Sequence, residues 1–157
     1  MDKLEFNSEN IENSVAGIDL SNITWKLQDK ESKGWDKETC NTAEREYRRF
    51  LTLKKIYPKQ TFVPNQLIDD IWHQHILDTA SYRKDCTEVF GKFIDHYPYF
   101  GMHGDADQKD LKSTFEETKK LYFKHFNTDM DEVFARCSDH ACHAPSSCAC
   151  RTAGACK

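Results

Sequence analysis

Apolar residues recur every three or four positions in three long segments, and this spacing constrains the fold more than any other feature of the sequence. The first segment runs from about 37 to 57, with Asp36 as its candidate N-cap, and ends at Pro58, a residue that cannot continue a helix. Its apolar stripe consists of Ala43, Tyr47, Phe50, Leu51, Leu53 and Tyr57. No segment alternates in the manner of a half-buried strand. The sequence therefore predicts an all-α fold.

Two further long helical segments and one short one complete the predicted architecture. The second segment runs from Pro64, which suits a first helical turn, towards Gly91, which suits the position after a last turn, with a break inside it. The third follows Asp105 and Gln108, whose spacing resembles a capping box. Its stripe consists of Leu111, Phe115, Thr118, Tyr122 and Phe126. The short segment is predicted to bury Ile18, Leu20, Ile23 and Trp25.

The chain is predicted to form one small helical domain with an ordered aromatic loop, followed by a tail of different composition. The loop spans residues 92–104 and contains four consecutive bulky, largely apolar residues at 97–100, which are expected to fold back onto the helices. Five of the seven cysteines occur after residue 136. We therefore predict a helical domain at 1–136 and a Cys/His-rich tail at 137–157.

Composition and charge exclude several classes of protein. Hydrophobic residues make up 38% of the chain and charged residues 31%, which is a globular composition. The formal net charge of −4 argues against a nucleic-acid partner. No run approaches the roughly 20 apolar residues of a membrane span, and the first residues lack the apolar stretch of a signal peptide. We therefore expect a cytoplasmic protein whose thiols stay reduced.

The densest polar chemistry lies in the segment from 68 to 79. On a regular helix, His73 and His75 are separated by about 200° of rotation, so they point to nearly opposite sides and cannot share one metal ion. Asp69 lies four residues before His73, so the two side chains can ligate one ion, or can form an ordinary surface pair. His75 shares an apolar stripe with Trp72 and faces the interior, as a ligand or as a hydrogen-bonded core residue.

A histidine in the aromatic loop extends this group. If the loop folds back over the helix, His96 approaches Asp69, His73 or His75, and these four residues are the candidate ligands of the body, not necessarily all at once. Three ligands of this kind leave an open coordination position, which is the pattern of a catalytic rather than a structural site. The candidate ion is zinc, iron or copper.

Two long motifs carry a resemblance to a known family. They are Trp72-His73-Gln74-His75-Ile76-Leu77-Asp78-Thr79 and His96-Tyr97-Pro98-Tyr99-Phe100-Gly101. With flanking residues from about 18 to 127, they resemble the bacterial glycine-rich domain-containing protein-like family. The resemblance implies no settled activity. The chain departs from that family's pattern in having Asp95 before His96 and His103 in place of an arginine.

The tail offers a second set of candidate ligands. Thiolates and imidazoles at close spacing suit Zn²⁺ or Cu⁺. The residues concerned are Cys137, His140, Cys142, His143, Cys148, Cys150 and Cys156. The same composition also fits a segment that is modified after translation, or a disordered thiol-rich end.

Two hypotheses about function follow. The first is a cytoplasmic metal-binding protein that can act as a metalloenzyme, with a His/Asp site in the helical body and a thiolate-rich tail. The second is a non-enzymatic scaffold or leader-type protein whose tail is modified by an enzyme or bound by a protein partner. No catalytic nucleophile is identified, because Cys86 lies about 16 Å along the helix from His75 and is assigned to the core.

Removal of the tail tests the predicted domain boundary. A chain truncated after Arg136 should keep its fold, because the three amphipathic helices can bury one another without the tail. We expect the thermal midpoint to shift by a few degrees, equivalent to about 1 kcal/mol or less. Calorimetry of the full and truncated chains measures the shift, and collapse of the truncated chain would make the tail an integral part of the fold.

Overall fold

The computed structural model describes residues 3–130, where the regular structure is helical apart from one antiparallel bridge between Phe6 and Glu12. The helices are α1 (Asn13–Ala16), α2 (Ser21–Gln28), α3 (Lys37–Ile56), α4 (Gln66–Leu77), α5 (Thr79–Phe90) and α6 (Asp105–Phe126). The predicted helical class is confirmed for this part of the chain. The Cys/His-rich tail at 137–157 lies outside the described residues, so the boundary after residue 136 stays a prediction.

The chain divides into two units. The first contains Met1–Pro58 and Ile68–Asp95, and so holds α1, α2, α3, α5 and most of α4. The second contains Lys59–Leu67 and the chain from His96 onward, and so holds α6.

Helix α3 is the central element of the first unit. It begins at an Asp36 cap, whose carboxylate accepts a hydrogen bond from the Thr39 backbone N–H at 2.7 Å, as the sequence predicts. Both α1 and α2 pack against it. The predicted stripe is buried, except that Tyr57 at the C-terminal end is half-buried. The apolar stripe of α3 is buried against neighbouring elements. This helix can therefore form part of the core although its other face is highly charged.

Arg48 connects α3 to the turn between α1 and α2. Its guanidinium donates hydrogen bonds to the backbone carbonyls of Val15 at 2.7 Å and Ile18 at 2.8 Å. It also pairs with Glu44 one turn earlier on α3, at 2.7 Å. The Val15 carbonyl also accepts from the Ile18 N–H at 3.2 Å, so the arginine supplies an additional donor to the carbonyls at the end of this four-residue helix.

The predicted break in the second helical segment is observed at Asp78. Its carboxylate caps α5 by accepting a weak hydrogen bond from the Ser81 N–H at 3.4 Å. Helix α5 then ends at Gly91, whose φ of 68° lies in the left-handed region that glycine adopts without strain. Both ends of α5 therefore follow from local sequence chemistry.

Helix α6 contributes a stripe of buried apolar side chains to the second unit. All five members of its predicted stripe are buried, and Thr118 accepts a hydrogen bond from the Val63 N–H at 3.1 Å. The predicted capping box at Asp105 is wrong. The N-cap is Gly104, which has no side chain to cap with, and Asp107 accepts a hydrogen bond from the His103 N–H at 3.1 Å.

Two predictions of burial are also wrong. Trp25 is 70% exposed, although the other predicted apolar residues of its segment, Ile18, Leu20 and Ile23, are buried. In the aromatic loop, Tyr97 and Tyr99 are exposed and contact each other edge to face, with ring centroids 5.6 Å apart. Phenol rings carry a polar hydroxyl and tolerate water at one end, so their clustering does not require burial.

Within residues 3–130, the helices are either too short or too polar to cross a lipid bilayer.

Glu12 joins the N-terminal segment to α3. It is buried, caps α1 by accepting from the Ser14 and Val15 N–H groups, and pairs with the Lys55 ammonium at 2.9 Å. Burial acts to raise the pKa of the Glu12 carboxyl, but hydrogen bonds from Ser14 and Lys55 and the charge of Lys55 outweigh burial and lower it below 4.5. The ionised form is thus the one that the fold stabilises.

Substitution of Glu12 by Gln should reveal this contribution. Because its folded pKa is depressed, Glu12 stabilises the fold fully above its unfolded pKa, and the contribution is lost as pH falls through the folded pKa. We expect Glu12→Gln to lower the free energy of unfolding by about 1–2 kcal/mol at pH 7. The difference from the native chain should shrink below pH of about 4. Urea unfolding at several pH values measures it, with exposed Glu9→Gln as control; a pH-independent difference would contradict the assignment.

Candidate metal centre

The two histidines of α4 lie in opposite environments, as their spacing predicts. His75 is 1% exposed, whereas the His73 side chain is 49% exposed. Asp69, one turn before His73, is buried. The predicted helical phase of this segment is therefore confirmed.

The His75 ring is hydrogen-bonded at both nitrogens. Its Nδ1 lies 2.8 Å from the Tyr47 hydroxyl and its Nε2 lies 2.8 Å from Asp85 Oδ2. Burial raises the pKa of Tyr47 well above its ordinary value, so this hydroxyl stays protonated and donates to Nδ1. The Nε2–H then donates to Asp85. The structure therefore does not bring His75 into a ligand group with His73.

Burial dominates the electrostatics of the His75 ring. It lowers the pKa of His75, while the hydrogen bond and charge of Asp85 act in the opposite direction. The ring also contacts Tyr82 edge to face, with centroids 4.9 Å apart. We interpret His75 as a structural residue that joins α3, α4 and α5.

Asp69, His73 and His96 form a group that could hold a metal ion. Each offers one ligand atom, and these atoms all lie within 4.8 Å of one another. The His73 Nε2 lies 3.3 Å from Asp69 Oδ1. Ligands at about 2.0–2.2 Å from a tetrahedral ion are about 3.3–3.6 Å apart. The Asp69–His73 pair thus already has the separation that shared ligation needs.

The segment that leads to His96 is held by polar and aromatic contacts of Tyr82. The Trp72 indole N–H donates to the Tyr82 hydroxyl at 2.9 Å, and that hydroxyl donates to the Ile94 carbonyl at 2.6 Å. Phe93 packs edge to face on the Tyr82 ring, with centroids 5.3 Å apart. Because Ile94 is fixed in this way, the backbone two residues before His96 has a defined position.

Two further polar residues of the aromatic loop lie outside the group, and the predicted ligands of the tail lie outside the described residues. His103 is exposed, and its Nε2 lies 3.4 Å from the Tyr97 hydroxyl. Asp95 is exposed and is not a member of the group. The tail residues Cys137, His140, Cys142, His143, Cys148, Cys150 and Cys156 fall outside the described part of the chain, so their role as ligands stays a prediction.

The described cysteines are not part of the centre. Cys40 and Cys86 are free and buried. Burial raises the pKa of both thiols, which makes the nucleophilic thiolate form less accessible. The assignment of Cys86 to the core is confirmed.

A family model described as UCP032817-like matches residues 15–142, and the chain belongs to this family. This finding overturns the resemblance to the glycine-rich domain-containing protein-like family, which is wrong. The two motifs that suggested it, at 72–79 and 96–101, lie inside the matched range. No curated protein and no solved structure matches the chain.

Sequence reasoning missed both partners of His75. Tyr47 is 28 residues away and Asp85 is ten residues away, beyond the break at Asp78. The sequence predicts a break in this segment but not its position, so it could not place Asp85 relative to His75, because the break changes the direction in which α5 presents its side chains. The predicted burial of His75 is the signal that could have pointed to these partners, because both ring nitrogens of a buried histidine need hydrogen-bond partners.

Substitution of Tyr47 by Phe tests the structural interpretation of His75. The change removes one hydroxyl and leaves the buried Nδ1 without its donor, so we expect a loss of about 1–2 kcal/mol in the free energy of unfolding. The exposed Tyr99→Phe is the matched control and should cost almost nothing. Urea unfolding measures both. Equal stability of the two variants would mean that the hydrogen bond to His75 contributes nothing to the fold.

Proposed function

We propose that this protein binds a divalent transition metal through Asp69, His73 and His96, and that the bound ion is its reactive centre. The observation that carries the proposal is the mutual distance of the three ligand atoms, which all lie within 4.8 Å of one another. One carboxylate and two imidazoles form a set that proteins use for catalytic metals.

The composition of the ligand set favours zinc or ferrous iron among the candidate ions. Two histidines and one carboxylate are typical of non-haem iron centres and of catalytic zinc centres, whereas copper sites more often add thiolate or thioether ligands. Calcium and magnesium prefer oxygen ligands throughout. The proposed body site is therefore distinct in chemistry from a thiolate site in the tail.

Solvent access supports a catalytic rather than a structural role. The His73 side chain is half exposed and His96 is partly exposed, so water can reach an ion held by these rings. Three protein ligands leave at least one position for water or substrate. Zinc lowers the pKa of such a water to about 7 and so supplies hydroxide at neutral pH. Hydrolysis or hydration of a polarised substrate is the reaction class that this arrangement suits.

A cytoplasmic location remains part of the proposal. It rests on the cysteine content of the sequence, and it is supported by Cys40 and Cys86, which are free thiols. Detection of the protein in fractionated cells tests the location, and its recovery from an oxidising compartment would contradict it.

Cobalt substitution tests the body site in the full chain. Co²⁺ bound by cysteine gives thiolate-to-metal charge-transfer absorption, which imidazole and carboxylate ligands do not give, so the two kinds of site are separable in one titration. We expect a cobalt site without thiolate absorption. We also expect His73→Ala and His96→Ala each to weaken that site at least tenfold, or about 1.4 kcal/mol.

The control is His103→Ala, which removes an exposed histidine outside the group and should leave cobalt binding unchanged. Cobalt bound through thiolates alone would contradict the body site. Equal weakening by the His103 variant would show that the histidines bind metal without a defined centre.

A further inference from the structure

The three proposed ligands differ in how firmly the fold positions them. Asp69 and His73 lie one turn apart on α4, with Oδ1 and Nε2 separated by 3.3 Å, so the helix itself sets their spacing. His96 follows a non-helical stretch that begins where α5 ends at Gly91. Residues 92, 93 and 95 of this stretch are exposed, so burial contributes little to its position. The affinity of a centre built from these ligands therefore depends on what fixes the chain before His96.

Tyr82 joins this stretch to α4. Its hydroxyl accepts a hydrogen bond from the Trp72 indole N–H at 2.9 Å and donates one to the Ile94 carbonyl at 2.6 Å. Trp72 directly precedes His73 on α4, and Ile94 stands two residues before His96. Tyr82 is buried, and burial raises the pKa of its hydroxyl, so the hydroxyl stays protonated and available as a donor. One hydroxyl thus links the helix that carries two ligands to the chain that leads to the third.

We propose that Tyr82 is a positioning residue of the metal centre, whose hydroxyl fixes the chain at 92–96 so that His96 is presented to Asp69 and His73. This inference rests on the proposed function, because it concerns the affinity of the same centre. It assigns Tyr82 no contact with the ion. The tyrosine acts before the metal binds, by limiting the positions that His96 can take.

The size of the expected effect follows from this preorganisation. A ligand that becomes ordered only when the ion binds loses conformational freedom in that step, and the loss is subtracted from the affinity. Removal of groups that hold metal ligands in place typically weakens metal binding by about 10–100-fold. Tyr82 acts on the backbone and not on the His96 ring itself, so we expect an effect at the lower end of that range.

A purely structural role for Tyr82 predicts a different pattern. The ring also contacts His75 and Phe93 edge to face, with centroids 4.9 Å and 5.3 Å away, and Tyr82→Phe keeps the ring that makes these contacts. The variant loses two buried hydrogen bonds, so it should be less stable whichever role is correct. Metal affinity separates the two roles, because only a positioning role acts through His96.

Cobalt titration of the full chain tests the proposal. We expect Tyr82→Phe to weaken the cobalt site that lacks thiolate absorption by about tenfold. Thr52→Val is the matched control, because the buried Thr52 hydroxyl accepts from the Glu12 N–H at 3.2 Å and its loss also removes a buried hydrogen bond. This control should bind cobalt as the native chain does, and urea unfolding shows whether the two variants lose similar stability.

A double-mutant cycle shows whether the effect passes through His96. In a His96→Ala background, Tyr82→Phe should change cobalt affinity by less than about twofold, whereas in a His73→Ala background it should still weaken binding several-fold. Without metal, hydrogen exchange at residues 92–97 should be faster in Tyr82→Phe than in Thr52→Val. Native affinity in Tyr82→Phe would overturn this inference and leave the metal centre standing. A native chain that binds cobalt only through thiolates would overturn both.

Phe93→Ala is a second variant, and it removes no hydrogen-bonding group. The Phe93 ring is 52% exposed and packs on Tyr82, so its removal should loosen the same stretch of chain. We expect cobalt binding to weaken several-fold. Phe123→Ala removes a ring that is 53% exposed on α6 and should leave binding unchanged. If Tyr82→Phe does not fold, this pair decides the proposal, and equal cobalt binding by the two phenylalanine variants would overturn it.

Discussion

The two hydrogen bonds of the His75 ring determine how α4 is rotated in the first unit. Tyr47 on α3 and Asp85 on α5 hold the ring from opposite sides, each at 2.8 Å. A buried imidazole that lost either partner would cost about 1–3 kcal/mol, so rotation of α4 away from this position is unfavourable. Because residues two apart on a helix differ by about 200°, His73 must then face outward.

The position of the candidate metal centre follows from that rotation. Asp69 and His73 share one side of α4, and the indole of Trp72 directs the Tyr82 hydroxyl towards the Ile94 carbonyl. Helix α4 thus contributes a structural histidine, two candidate ligands and the indole donor that positions the Tyr82 hydroxyl on α5, which in turn donates to the Ile94 carbonyl.

The sequence predicts features that depend on the spacing of nearby residues. It does not predict features that depend on contacts between residues far apart in the chain. The helical period, the cap at Asp36 and the end of α5 at Gly91 are local, and all are observed. Trp25 is exposed although its position suggested burial, because a pattern of apolar residues does not reveal which face lacks a neighbour. The partners of His75 could not be found for a similar reason, since Asp85 faces it only after the break at Asp78.

If Asp69, His73 and His96 hold a metal ion, the net charge of these ligands favours a catalytic role over metal storage. Imidazoles ligate a metal as neutral groups, so Asp69 supplies the one negative charge, and a divalent ion keeps net positive charge. Because Asp69 is buried, its interaction with the ion is screened less than that of an exposed carboxylate. If Asp69, His73 and His96 hold such an ion, water could reach it past the half-exposed His73 side chain and would be polarised there. A storage site gains from more anionic ligands and a closed shell, and this group has neither property.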